Sequence, residues 1–337
     1  MSKASVLLSW RNLICLPFRA LLPILPVRIL KWTHSRISTY TTSLSSSVLA
    51  HEYKHGRRYH SYHSGSYLFP NDEQEQERLD MVHHICFRAL GDRLFLAPIK
   101  PNGKRVLDIG TGTGIWAMQM GDEYPEAEQI IGNDLSPIQP TWIPPNVKFI
   151  VDNVEQNWVE PQPYDFIHCR YMCGSISDWP KLLRQCYEHL KPGGWIEIQN
   201  GDFNFYSEDN TFKPDNYLHI MASNLIEACR RIGKPLDVAP QIKGLVEAQG
   251  FIQADEKIFP IPLSGWAKDK RMKEMGLFTA VNHIEGVEAL TVAPFSEVLG
   301  WSPEEIEVLI AGVRRDSERR DVHGLWNIHV VTAQKPQ

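Results

Sequence analysis

The segment Val106–Trp116, VLDIGTGTGIW, limits the fold more than any other stretch: a short apolar run meets alternating glycines and then an amphipathic stretch. An apolar run bounded in this way is a buried strand, and the residues after it have helical spacing. The glycines therefore turn the chain sharply from strand to helix. Without a Cβ they also let backbone N–H groups approach a ligand. That ligand is expected to lack phosphate. A dinucleotide loop would place a third glycine at position 115, where Ile115 stands, and a triphosphate loop would follow its glycines with lysine.

Short apolar runs continue to alternate with amphipathic stretches, the pattern of a parallel sheet covered by helices. Strands are expected at Arg105–Ile109, Gln129–Asn133, Val147–Val151, Tyr164–Cys169, Trp195–Gln199, Ile252–Pro262 and Leu325–Ala333. Helices are expected at Ile115–Glu123, Trp179–Leu190, Asn216–Ile232 and Gln241–Gln249, with Lys191-Pro192-Gly193-Gly194 stopping the second. The interval Leu263–His323 reads as a mostly helical cap placed before the last strand, one of its helices starting at Ser302. Upstream, Asn71 or Asp72 caps a helix in which Leu79, Val82, His83, Cys86 and Leu90 recur at helical spacing; His83 and His84 read as its surface and flank. Three regions result: a tail over 1–51, an arm and helix over 52–100, and the sheet domain over 101–337 with its cap at 263–323.

Carboxylates fall at successive strand ends. Asp134, beside Leu135, ends the second strand 20 residues after Gly114, where a carboxylate accepts hydrogen bonds from both hydroxyls of a ribose. Asp152-Asn153-Val154 end the third strand and suit an adenine edge. Asp108 precedes Gly110 and is placed to orient the loop of Gly110, Gly112 and Gly114 or to attract an ammonium. Adenosine with a phosphate-free, amino-acid tail meets all of these demands, and S-adenosyl-L-methionine is such a molecule.

These residues resemble the fungal LaeA-like methyltransferases, also described as trans-aconitate-methyltransferase-like. The likeness runs from about His55 to Lys335 and is carried by GRRYHSYHSGSYLFPNDEQEQERLD, VLDIGTGTGIWA, NDLSPIQPTWIPPNVKF, DFIHCRYMCGSISDWP, LKPGGWIEIQ and LGWSPEEIE. It implies an α/β class I methyltransferase fold, a Rossmann-like sheet of seven strands with the last antiparallel, and S-adenosyl-L-methionine as cofactor. Asn153 stands where the family commonly has aspartate, and Asn133 where an apolar residue is common.

Methyl transfer is an in-line displacement, so the protein has to align a nucleophile and exclude water. An oxygen nucleophile profits from a general base, for which His168, Asp202 and His323 are candidates. Tyr59, Arg170 and Tyr171 are substrate-side candidates; Tyr53, Tyr59, Tyr62 and Tyr67 form an aromatic arm able to close over a cationic sulfonium. The formal charge of -5 provides no broad basic surface for nucleic acid. Cys169 and Cys173 beside His168 lack a second ligand pair, so no metal is expected. Met1–His51 holds Lys3, Arg11, Arg19, Arg28, Lys31 and Arg36 and no acid, with Pro17, Pro23 and Pro26 cutting its apolar run. It reads as a transit peptide or as a tail outside the fold, not as a membrane span. The expected function is methylation of a small molecule in fungal secondary metabolism, in the cytoplasm or, with a transit peptide, in mitochondria. The alternative is a LaeA-type nuclear regulator acting through protein complexes. No run of basic residues marks a nuclear signal.

Overall fold

A computed structural model describes residues 51–60 and 68–337. Tyr62 and Tyr67 of the aromatic arm, and the tail up to residue 50, lie outside the described residues. The first element is a hairpin of β1 (His51–Lys54) and β2 (Arg57–His60), so it begins one residue inside the expected tail. His55 and Gly56 both have positive φ at its two-residue turn, the backbone that matches strand twist in such a hairpin. Helix α1 (Glu73–Ala89) follows, and Asp72 rather than Asn71 is its N-cap, accepting from the Glu75 N–H at 3.1 Å. Arg57 grips the same carboxylate, with Nη2 at 2.7 Å, and ties the hairpin to the helix start.

The central sheet contains β3 (Arg105–Ile109), β4 (Gln129–Asp134), β5 (Val147–Val151), β6 (Tyr164–Arg170), β7 (Leu190–Tyr206), β8 (Ile252–Pro262) and β9 (Leu325–Gln334). Their spatial order is β5-β4-β3-β6-β7-β9-β8. β9, the last in the chain, is antiparallel to both neighbours, whereas β3 to β7 pair in parallel. The order reverses at β3, between β4 and β6, and ligands of open parallel sheets bind in the crevice at such a point, beyond the carboxyl ends of the strands.

Alternating strand residues feed two cores. Val106, Ile130 and Phe166 face α2 (Ile115–Glu123) with Trp116 and Met120, while Leu107, Ile109, Ile131, Ile167, Ile196 and Ile198 join the larger core. Each fully buried side chain of this size contributes about 1.5–3 kcal/mol relative to exposure. Helices α3 (Trp179–His189), α4 (Tyr217–Arg231) and α5 (Ile242–Ala248) contribute to that larger core.

β7 runs well beyond the expected Trp195–Gln199 because Asn200–Asp202 and Tyr206 pair with β9. Lys191–Gly194 lies within it as an irregularity: the pairing with β6 shifts between Tyr164 and Phe166, and Gly193 adopts φ +73°. The cap comprises α6 (Lys270–Ala293), a π turn over Pro294–Leu299 and α7 (Pro303–Ser317), which starts in a capping box of Ser302 and Glu305. No described helix is long and apolar enough to cross a membrane.

Candidate active site

One cavity opens at the carboxyl ends of β3, β4, β5 and β6 and is closed on one side by α1. Its floor is the glycine loop. Gly110, Gly112 and Gly114 all have positive φ, at +64°, +57° and +80°. A Cβ at Gly110 would overlap the Met172 thioether, whereas one at Gly112 would meet nothing nearer than Leu79 Cδ1 at 3.9 Å. Gly112 therefore leaves its face of the loop open to a ligand. Gly114 lies outside the cavity wall, where its missing Cβ makes room for the Phe149 ring at the start of α2.

Asp134 lines the cavity, where its Oδ2 accepts from the Gly112 N–H and its Oδ1 from the Ser136 N–H, both at 2.9 Å. Burial lifts its pKa to about 6, against the pull of these N–H groups. Leu135, Asp152, Asn153 and Val154 line the same side. Asn153 Oδ1 accepts from the Glu155 N–H at 3.0 Å. Asn133 has a local reason to be polar, since its Oδ1 accepts from the Gly110 N–H at 3.3 Å.

Asp108 is 3% exposed and stands behind the loop, not on the cavity wall. Thr111 donates its hydroxyl to it at 2.6 Å, and His168 Nδ1 lies 2.7 Å from its other oxygen. Its position supports the loop rather than an ammonium. His168 is fully buried and stacks on Trp116 with ring centroids 3.8 Å apart; burial lowers its pKa, against the opposing Asp108. It is thereby removed from any acceptor. Asp202 is engaged by Asn204 through N and Nδ2, and His323 packs on Trp266 and pairs with Asp209 at 2.5 Å; neither lines the cavity. The structure places none of these three candidate bases on the cavity wall. Tyr59 is buried away from the cavity wall and Tyr53 is 72% exposed.

Arg170 and Tyr171 do line the cavity, where β6 ends. Tyr171 sits at φ +60°, a left-handed backbone that non-glycine residues rarely adopt, and burial raises its phenol well above the tyrosine range. His83 corrects another expectation. It is not helix surface but 4% exposed, accepting from Arg170 Nη2 at 2.7 Å through Nδ1 and facing Gln119 Oε1 at 3.0 Å through Nε2. Arginine only donates, so Nδ1 is the acceptor and Nε2 carries the proton. Burial, reinforced by Arg170, pushes its pKa well down and keeps the ring neutral.

Sequence reasoning passed over several other cavity residues. Glu75 binds Arg78 through both oxygens, at 2.8 and 2.6 Å, and Arg78 reaches Asn282 of α6 at 3.1 Å. Lys234 donates to the Ser175 carbonyl and to Glu155 at 3.3 Å. Behind the wall, Asp80 accepts from the cavity residue Thr113 at 2.6 Å, and burial raises its pKa to about 6. The i,i+3 spacing of Glu75 and Arg78 signalled their pairing; nothing local signalled that α1 turns that face toward the glycine loop.

Comparison with known proteins agrees with this geometry. Residues 81–251 match the model of a methyltransferase domain family. Methyltransferase pytC of Aspergillus terreus is 58% identical over 295 residues, covering 88% of this chain and 91% of its own. The chain belongs to the fungal LaeA-like methyltransferases. Within that family, the secondary metabolism regulator LAE1 of Cochliobolus heterostrophus is 38% identical (84% of this chain, 94% of its own), and the protein-methionine methyltransferase laeA of Emericella nidulans 35% (84% and 76%). This family member is an S-adenosylmethionine-dependent methyltransferase. The cavity fits that cofactor: the Gly112 face is open, and a carboxylate stands at the end of β4.

Proposed function

We propose that the protein methylates a small molecule in fungal secondary metabolism. The observation that carries this reading is the 58% identity to a protein named as a methyltransferase, against 35–38% to those named as regulators or as a protein-methionine methyltransferase. S-adenosylmethionine, when bound, supplies an electrophilic methyl group on a sulfonium. In this reading Asp134 holds the ribose hydroxyls, Asp152, Asn153 and Val154 read the adenine edge, and the Gly110–Gly112 backbone borders the amino-acid end. Asp108 and His168 keep the loop in shape from behind. Purified protein with labelled cofactor should label a compound in extracts of a strain lacking the gene. Failure to label any small molecule would overturn the proposal.

A second reading, a LaeA-type regulator, draws support from Met172. Its thioether lies against Gly110 inside the cavity, and one relative is named a protein-methionine methyltransferase. A thioether accepts a methyl group with no proton to release. Intact-mass and peptide analysis after incubation with cofactor checks it: one added methyl on the Met172 peptide favours this reading, and an unmodified peptide removes the support that Met172 lends it.

A further inference from the structure

Three cations border the cavity, and two are satisfied from within the protein. Arg78, just behind the wall, is held by both oxygens of Glu75, and Lys234 by Glu155 and the Ser175 carbonyl. Arg170 differs. Its one hydrogen bond to a described residue goes to His83, which is neutral, and no described carboxylate lies within ion-pair distance of it. Asp80 feels its charge but is engaged by the Thr113 hydroxyl. A half-buried guanidinium has five N–H donors in a planar fork, and leaving most of them unmatched beside a cavity is costly unless a ligand supplies the acceptors.

The arrangement behind Arg170 is built rather than incidental. His83 is buried, its Nε2 proton is directed to Gln119 Oε1, and its Nδ1 lone pair is thereby presented to Nη2. This fixes the guanidinium from one side without neutralising it. Tyr171 in the left-handed region, with its N–H bonded to the Gln199 carbonyl at 2.8 Å, turns the chain immediately after Arg170 and holds that end of β6 against β7.

We propose that Arg170, positioned by the His83–Gln119 pair, is the carboxylate-binding group of the cavity. A carboxylate matches the guanidinium fork with two charge-assisted hydrogen bonds. Two sources offer this chemistry: the amino-acid carboxylate of the cofactor itself, or a carboxylate on the methyl acceptor. The proposal rests on the cavity being the cofactor site, so cofactor binding by wild-type protein is measured alongside it.

Calorimetric titration of the full chain separates the sources. If the cofactor supplies the carboxylate, Arg170→Met weakens S-adenosylhomocysteine about ten- to hundredfold, the range of hydrogen bonds to a charged partner, and leaves decarboxylated S-adenosylmethionine unchanged. If the acceptor supplies it, Arg170→Met leaves S-adenosylhomocysteine unchanged but abolishes binding of benzoate to protein saturated with that nucleoside. Arg170→Lys keeps the charge without the fork and should fall between wild type and Arg170→Met in the arm that applies. His83→Phe, which removes the support but not the cation, should weaken the same ligand severalfold and spare the decarboxylated one. Arg170→Met that is folded by circular dichroism and unaltered toward both S-adenosylhomocysteine and benzoate overturns the assignment. Wild-type protein that binds no S-adenosylhomocysteine instead overturns the placement of the cofactor.

Discussion

At the scale of single residues, the part-buried Asp134 and the fully buried Glu197 are carboxylates with opposite uses. Asp134 borders the cavity and accepts from the Gly112 N–H of the loop and from the Ser136 N–H. Asp134→Ala should weaken S-adenosylhomocysteine by about 2–4 kcal/mol, roughly 30- to 1,000-fold, with the fold intact by circular dichroism. Because burial raises its pKa to about 6 and the ionised form is the stronger acceptor, affinity should drop as pH falls below about 6, and Asp134→Asn should flatten that dependence. Glu197, with no exposure, faces no ligand. Its Oε2 accepts from the Leu96 and Ala97 N–H groups at 2.7 and 2.6 Å and its Oε1 from Gln199, which pins the loop after α1 to β7. Burial raises its pKa to about 7 despite these donors. A carboxyl raised in the folded state stabilises fully below its unfolded pKa and loses that contribution as pH rises through the folded value. Between pH 5 and 8 wild type should therefore lose roughly 2–3 kcal/mol of stability that Glu197→Gln does not lose, read from urea midpoints of the two proteins.

Elements were legible where their signals are local. The strands β3, β5 and β8 and helix α2 begin and end where apolar runs meet glycine, proline or a charged turn. β7 was underestimated because its second half is held by β9, more than a hundred residues later, and no local pattern announces a partner at that distance. The cap shows the same division. Ser302 and Glu305 announce the start of α7, and Ser302→Ala should cost about 1 kcal/mol in urea unfolding with an unchanged slope. Gly312 is the opposite case. Alanine favours an isolated helix by about 1 kcal/mol over glycine, yet a Cβ here would run into the Tyr217 ring where α7 crosses α4. Gly312→Ala should therefore destabilise the protein, by about 1–3 kcal/mol as overpacking does, and a stabilised variant would mean that the helices separate more easily than their contact implies.

At the scale of the molecule, the convergence of Asp134 and Asp152–Val154 with the glycine loop on one cavity was readable because strand ends in a doubly wound sheet converge by topology alone once the strand order is set. The α1 side was not readable in this way. Whether His83 faces solvent or the cavity depends on how α1 rotates over the sheet, which is fixed by Arg78 reaching Asn282 on α6 and by Thr113 reaching Asp80. Loop, sheet and α1 thus share one cavity, and none of it exists in the unfolded chain. Ligand binding should consequently stabilise the whole sheet domain through mass action. At a concentration 100 times its dissociation constant, S-adenosylhomocysteine should add about 2.7 kcal/mol, which for a domain of this size raises the melting temperature by roughly 5–10 °C. Asp134→Ala at the same ligand concentration should lose most of that rise, and Glu197→Gln, remote from the cavity wall, should keep all of it. Thermal scans of the three proteins with and without ligand read both outcomes. An equal rise in all three would separate Asp134 from the ligand, and a rise lost in Glu197→Gln would mean that the loop after α1 belongs to the site.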